Sequence, residues 1–386
     1  MNKPLHHAAQ DTAFEVRGYL NQAMTGASVI RALRGMHPIE LKNNLLASRA
    51  YQEANRVFEG LEISQSIPYE IQREDNPVAS FWPFTKVTAE RIANMIDKYQ
   101  SIALLGTPTV FGLLSSRRDD RALLFEHDEY FFPDGIVPGF IKCDVVRGVP
   151  RSYDDQFEFV FADPPWYLGD YFAWLETATR IVRPAGSVAF VLYPERIRES
   201  AGAERNKILA LAREIFEDVS IKRNVIDYET SSFEQIQMIR NGIRPIDWRS
   251  ADVLVGRTRK RKFQDQEIKI SSATTDWIER RVGTGRVFID LKPASVASFL
   301  ETADASSRFL SSPSLRNAAR LRANVITSRG HALCCSEPFL LISLIESIRQ
   351  FSDLALLKPR VPDNSWSLFQ LFATDLWGRF VVIDQT

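Results

Sequence analysis

Cysteine is scarce: the 386 residues contain 3, at Cys143, Cys334 and Cys335. That number cannot build a disulfide framework or a cysteine-rich zinc module, and it suits a reducing compartment. Histidine is nearly as rare, with 5 residues. His127 sits beside Asp128 but has no further partner at ligand spacing, so no metal is expected. An excess of charge of either sign is also missing, since 48 basic residues face 48 acidic ones. A balanced chain has no global field to attract nucleic acid or an anionic membrane, so a polyanion site would have to be a local patch. No apolar run approaches the length needed to cross a bilayer. The opening, MNKPLHHAAQDT, has no signal-peptide centre. These absences lead to the expectation of a cytoplasmic protein with no membrane partner. Internal repeats and low-complexity tracts are absent too.

What is present falls into stretches of different period. In the first seventy or so residues, DTAFEVRGYLNQAM and ELKNNLLASRAYQEANRVFEGL carry apolar side chains at three- and four-residue spacing, which predicts two helices, the second stopped at Gly60. From Ser101 the pattern changes. SIALLG, RALLFEHDEY, GFIKCD, FEFVFADPPW and GSVAFVLYP read as five short buried strands separated by helix-sized segments, which means βαβ units and a parallel sheet. Two more strands, DVSIKRNVIDY and ADVLVGR, follow, with SSFEQIQMIRNGI between them as a helix or ordered loop. GRTRKRKFQDQE then interrupts with charge and no periodicity. TGRVFIDLKP, the hairpin-like ANVITSRGHALCC, GRFVVIDQ and two helical segments, SLRNAARLRA and EPFLLISLIESIRQF, complete the chain. The expected organisation is a helical N-terminal extension over 1–75, an α/β Rossmann-like domain over 76–258, a basic linker over 259–271 and a smaller α+β domain over 272–386.

One strand leaves the core in an unusual way. FEFVFADPPWYLGDY passes from an apolar run to an acid, two prolines and a tryptophan. In an open parallel sheet, ligands bind beyond the carboxyl ends of the strands, where Asp163 would lie. Pro164 and Pro165 stiffen the turn and carry no N–H. The turn therefore offers a carboxylate and carbonyls with few competing donors, a combination that suits an amine. Acceptors fixed on an –NH₂ group would orient its lone pair outward and stabilise positive charge developing on nitrogen. Trp166 adds a flat face for a planar base, which must be held out of its stack to be modified. The plainer alternative is a proline-stiffened turn with a core tryptophan.

DPPW resembles the catalytic motif of amino methyltransferases that use S-adenosylmethionine. Upstream, ASFWPFTKVTAERIANMI, IALLGTPTVFGLL and ALLFEHDEYF resemble, in order and spacing, the probable N6-adenine methyltransferases, a family with elongation-factor lysine and ribosomal RNA adenine members. The resemblance runs from about Ser80 to Tyr193. It implies a class I methyltransferase sheet and a cofactor, S-adenosylmethionine. It implies that Phe81 and Trp82 lie near the cofactor entrance and that Gly106, Thr107 and Pro108 form the loop after the first strand, facing the methionine part. It implies that Asp128, or failing that Glu126, holds the ribose, that Asp144 accepts from the cofactor's adenine amine, and that Asp163, Pro164, Pro165 and Trp166 are catalytic. Ser80 and Pro83 depart from the family's pattern at the entrance.

Adenine N6 methylation in RNA or DNA is the leading expectation. Protein lysine methylation with the same cage is the alternative, and a non-catalytic partner subunit of a homo- or hetero-oligomer is a third. Arg257, Arg259, Lys260, Arg261 and Lys262 form the densest basic run and are the candidates for gripping phosphates. GTGR, from Gly283 to Arg286, lacks the strand–glycine–helix setting of a phosphate loop and reads as a turn.

Overall fold

Seven strands form the main sheet: β1 (Ile102–Leu105), β2 (Ala122–Glu126), β3 (Phe140–Lys142), β4 (Phe157–Ala162), β5 (Val182–Leu192), β6 (Phe216–Asp227) and β7 (Ser250–Thr258). The computed structural model describes residues 3–63, 69–70, 75–78, 82–128, 137–259, 277–305, 307, 309, 317–348, 354–377 and 380–381. The strand order is β3-β2-β1-β4-β5-β7-β6. Strands β1 to β5 pair in parallel, and β7 lies antiparallel to both β5 and β6. This is the Rossmann-like sheet of class I methyltransferases, as expected from the sequence.

The strands read as continuous apolar runs because both faces are covered. Alternate residues serve opposite layers. Ala103, Leu105, Val160 and Ala162 pack with α7 (Leu168–Ile181) and α8 (Ala201–Ile215). Ile102, Leu104, Phe159 and Phe161 pack with α5 (Lys86–Ile96) and α6 (Pro108–Ser116). Helix α5 starts where Thr85 Oγ1 accepts from the Thr88 N–H.

Four helices precede α5: α1 (Lys3–Asn21), α2 (Gly26–Ala32), α3 (Pro38–Ala47) and α4 (Tyr51–Phe58). The second helix expected from the sequence is thus two, broken at Arg49, whose φ of 58° no α-helix accommodates. The helices are tied to the carboxyl-end side of the sheet. Arg34 of α2's C-terminal loop pairs with Asp252 at 2.8 Å, and Asp252 also pairs with Arg205 of α8 at 3.0 Å. Burial alone would raise the Asp252 carboxyl, but the Asn224 N–H and both arginines hold it below its usual range.

The chain divides into two compact units that are not contiguous in sequence. The first comprises residues 1–57, 82–229 and 247–272, and the second 58–81, 230–246 and 273–386. The N-terminal helices therefore fall with the sheet. The segments 58–81 and 230–246 fall with the C-terminal part, although a linear reading of the chain would split them otherwise.

The second unit contains a five-stranded antiparallel sheet of β8 (Trp277–Val282), β9 (Gly285–Asp290), β10 (Leu300–Thr302), β11 (Val325–Thr327) and β12 (Ala332–Cys335), in the order β10-β12-β11-β9-β8. Its core packs against α11 (Pro338–Ile348) and α12 (Trp366–Trp377). Helix α12 is absent from the sequence-based outline. Gly283 and Thr284 of GTGR form the turn between β8 and β9, and Cys334 and Cys335 are buried in β12. Of GRFVVIDQ, only Phe380–Val381 is described as strand, paired with Tyr69–Glu70. Among the described residues, no helix is long and apolar enough to cross a membrane.

Candidate active site

The carboxyl ends of β1, β2, β3 and β4 converge, and each delivers one of the residues singled out in the sequence. After β1 the chain turns at Gly106, whose φ is +63°. A Cβ there would lie 2.6 Å from the Trp174 ring and 3.3 Å from the Asp163 carbonyl oxygen, so only glycine fits. Thr107 then caps α6 without a side-chain cap bond, and Pro108 opens the helix, where its missing N–H costs nothing. Thr107 is 1% exposed, and its Oγ1 has no hydrogen-bond partner among the described residues. A buried hydroxyl left in that state costs about 1–3 kcal/mol unless something else satisfies it.

Glu126 is the last residue of β2. Its Oε1 accepts from the His127 N–H at 2.7 Å and the Asp128 N–H at 3.0 Å. Burial pushes its carboxyl up to about 7, against those two donors and helped by the Asp128 charge. After β3, Asp144 Oδ1 accepts from the Val146 N–H at 3.0 Å, and Arg147 lies 3.4 Å from Oδ2. Burial pushes the neighbouring Cys143 thiol up to about 11, with Glu126 and Asp144 adding to the effect.

Asp163 follows β4 and is fixed by its N–H donating to the Leu105 carbonyl at 3.1 Å. The Pro165 carbonyl accepts from the Tyr167 N–H at 2.7 Å, which closes the turn just before α7. Asp163 Oδ1 accepts from the Tyr228 hydroxyl at 2.8 Å. Burial raises the Asp163 carboxyl to about 8. Tyr228 and the Arg249 charge oppose this shift, and Glu126 adds to it.

Around the turn stands an aromatic enclosure. Trp166 lies 5.9 Å from the Tyr193 ring and 5.8 Å from the Tyr228 ring, centroid to centroid. The Arg249 guanidinium sits 3.4 Å above the Trp82 ring and 4.7 Å from that of Trp166. Beyond Trp82 come Trp248 at 6.3 Å and His37, the N-cap of α3, at 5.0 Å from Trp248. The enclosure thus runs from the strand ends to the N-terminal helices.

Asp163, Pro164, Pro165, Trp166, Trp82, Gly106, Thr107, Pro108, Glu126, Asp128 and Asp144 all lie at this end of the sheet. Phe81 lies outside the described residues, as do Lys260, Arg261 and Lys262. Arg257 and Arg259 are described. Strand β7 runs antiparallel to β5, pairing Asp252 with Leu192 and Arg257 with Ser187. Arg257 is therefore at the amino end of the parallel strands, roughly 25 Å of strand rise from Arg249. It donates to the Ala185 carbonyl, and Arg259 to the Arg213 carbonyl, each at 3.0 Å. These two side chains are not beside the Asp163 turn. Sequence reasoning also missed Tyr228, Arg249, Tyr193 and Trp248. A signal existed for two of them: VIDY ends a strand next to the site, and DWR begins the stretch before its neighbour. Among the described residues, no group of three or more histidine, cysteine, aspartate or glutamate side chains could hold a metal ion.

No curated protein matches the chain. Among solved structures, the branched-chain polyamine synthase from Thermus thermophilus is 13% identical, with 68% of this chain and 90% of that one covered and a TM-score of 0.47. A predicted O-methyltransferase from Agrobacterium tumefaciens is 18% identical over 41% of this chain and 73% of that one, with a TM-score of 0.26. An S-adenosylmethionine-dependent O-methyltransferase from Thermotoga maritima is 12% identical over 49% and 74%, with a TM-score of 0.32. Residues 74–241 match the family described as "Probable N6-adenine methyltransferase". That span holds Gly106, Glu126, Asp144, the Asp163 turn and Tyr228.

Proposed function

We propose that the protein transfers a methyl group to the exocyclic amine of an adenine in RNA or DNA. The observation that carries this reading is the Asp163–Trp166 turn, an acceptor-rich corner facing a flat, cation-stacked enclosure. S-adenosylmethionine, when bound, supplies an electrophilic methyl group. The residues present fit it. The buried Thr107 hydroxyl without a partner, and the Gly106 turn that a side chain would fill, mark a place for a polar ligand group beside α6. Glu126, enclosed at the end of β2, is better placed than Asp128 to take a ribose hydroxyl pair, and Asp144 to take an adenine amine.

The chain's own part is then to hold the nucleophile. Asp163 and the Pro164 carbonyl accept the two N–H groups of the substrate amine, and its lone pair is left facing the methyl donor. Positive charge that develops on nitrogen is stabilised by the ionised form of Asp163, which it favours in turn. Adenine's amine is uncharged at neutral pH and needs no prior deprotonation, unlike a lysine. Arg249 favours the neutral, planar substrate. Its fixed guanidinium repels an ammonium and offers a flat face for stacking. The second reading, lysine methylation, draws on the same ring of Trp82, Trp166, Tyr193 and Tyr228, which would suit a cation if Arg249 were displaced. With neither turnover nor cofactor binding, the third reading, a partner subunit, would stand.

The test is incubation with radiolabelled S-adenosylmethionine and total RNA, DNA and protein extracts, followed by nucleoside and amino-acid analysis. Label in N6-methyladenosine or its deoxy form is expected. Label confined to lysine would replace this reading with the second.

A further inference from the structure

We propose that Tyr228 is the positioning residue of this site: its phenol holds Asp163 by Oδ1 so that Oδ2 is left to face the substrate as an acceptor. The hydrogen bond is 2.8 Å long and joins residues 65 apart in sequence. Both partners are fixed. Tyr228 is 1% exposed, and its ring is packed 5.1 Å from that of Phe84 and 5.8 Å from that of Trp166. Its backbone is pinned at a crossroads of three segments. The Tyr228 N–H donates to the Arg249 carbonyl at 3.0 Å, the Glu229 N–H to Pro83 at 2.9 Å and the Thr85 N–H to Asp227 at 3.0 Å. The Asp227 N–H also donates to Thr88 Oγ1 at 2.9 Å. A phenol so held cannot swing away when substrate arrives.

The roles within the pair follow from the surroundings. Burial, together with the Asp163 charge, raises the Tyr228 phenol well above its usual range. The phenol therefore stays protonated and acts as a donor, not as a base. The groups facing Asp163 come from several elements. Arg249, ahead of β7, favours the carboxylate, and Glu126, at the end of β2, disfavours it. Tyr171 of α7 is also near, but its hydroxyl donates to the Val191 carbonyl at 2.8 Å. Tyr193 and Arg198 lie beyond it, with Arg198 stacked on Tyr193 and paired with Glu204. Among the described residues, Tyr228 is the one whose side chain bonds the Asp163 carboxyl directly.

This inference rests on the proposed amine-methylating function for its meaning, but its core can be measured without turnover. Asp163 would be titrated by carbon-13 NMR of selectively labelled aspartate in the free protein, wild type and Tyr228→Phe, with Asp163→Asn to assign the signal. The phenylalanine keeps the ring against Phe84 and Trp166 and removes only the donor. The Asp163 midpoint should rise by about one unit, which corresponds to a tenfold change in the ionised fraction below the midpoint. The acid limb of kcat/KM should move up with it, and cofactor affinity should not change. A merely structural role would instead lower activity evenly across pH. An unmoved midpoint in Tyr228→Phe overturns the inference while leaving the proposed function intact. A moved midpoint in a protein that labels no adenine confirms the positioning and refutes the proposed function. If Tyr228→Phe does not fold, 3-fluorotyrosine at 228 is a stronger donor in the same ring and should lower the midpoint; no shift there also overturns the inference.

Discussion

Gly106→Ala is the sharpest test of the architecture beneath the site, because three independent penalties meet at one methyl group. The backbone φ of +63° is one that L side chains adopt at a cost of about 1–2 kcal/mol. The new Cβ would lie 2.6 and 3.1 Å from two carbons of the Trp174 ring. Trp174 is 7% exposed and part of the core beneath the sheet, so it cannot swing out into solvent. Overpacking of this kind costs about 1–3 kcal/mol. The third contact, 3.3 Å from the Asp163 carbonyl, transmits whatever shift remains to the Asp163 turn itself. The expected loss of stability is about 2–5 kcal/mol in urea unfolding, with weakened S-adenosylmethionine binding in calorimetry. Gly112→Ala in α6 is the control. Nothing lies within 4 Å of its added carbon, and alanine should stabilise the helix by about 0.5–1 kcal/mol. If Gly106→Ala unfolds at the same urea concentration as Gly112→Ala, the turn is not the tight cradle described above.

Three further outcomes are expected. Asp252→Ala leaves Arg205 buried without its carboxylate, at 5% side-chain exposure, and should cost about 3–5 kcal/mol in chemical denaturation; a loss under 1 kcal/mol would mean that the network is dispensable. Thr107→Val should leave stability unchanged or raise it, since it removes a buried hydroxyl that has no partner, yet weaken cofactor binding by calorimetry; unchanged affinity would take Thr107 out of the cofactor's reach. The Asp163 and Glu126 carboxyls, pushed up to about 8 and about 7 by burial, hold protons in the folded state that they lose when unfolded. Their contribution to stability is therefore full below the ordinary carboxylate range and is lost as pH climbs towards 8. Urea midpoints between pH 5 and 8.5 should fall, and Asp163→Asn should flatten the slope; an equally steep slope in that variant would show that Asp163 is not the group responsible.

Much of the fold was legible because its signals are local. The five parallel strands are short apolar runs, and both prolines of the turn sit where a chain leaves a strand. The acid and the tryptophan of the site are contiguous in sequence, so DPPW could be read directly. Tyr228 and Arg249 were harder to read, because what brings them to the turn is pairing across β6 and β7, which residues 230–246 separate in sequence. The end of the sheet at which Arg257 lies was not legible for a related reason. Sequence gives the distance along a strand but not its direction, and β7 runs antiparallel to β5. The break at Arg49 was invisible because a left-handed arginine between two amphipathic stretches leaves their periodicity almost unbroken.

Several departures from ordinary folding rules lie where the proposed chemistry lies. Gly106 holds a backbone conformation that side chains adopt only at a cost, Thr107 and Trp174 bury polar atoms with no partner among the described residues, and Glu126 and Asp163 bury carboxyls. Each is a cost to the free protein, and cores usually satisfy or exclude such groups. The first unit shows the opposite treatment elsewhere. Arg34, Asp252 and Arg205 form a closed set, with Arg205 also donating to the Tyr193 carbonyl. Two arginines and the Asn224 N–H thus answer one carboxylate. Asp163 is answered only in part, by one phenol and the more distant charge of Arg249. A carboxylate satisfied as fully as Asp252 would have nothing left to offer a substrate. The incomplete answer at Asp163 is therefore what keeps an acceptor available, and the well-satisfied network behind it keeps the strands that carry it in register.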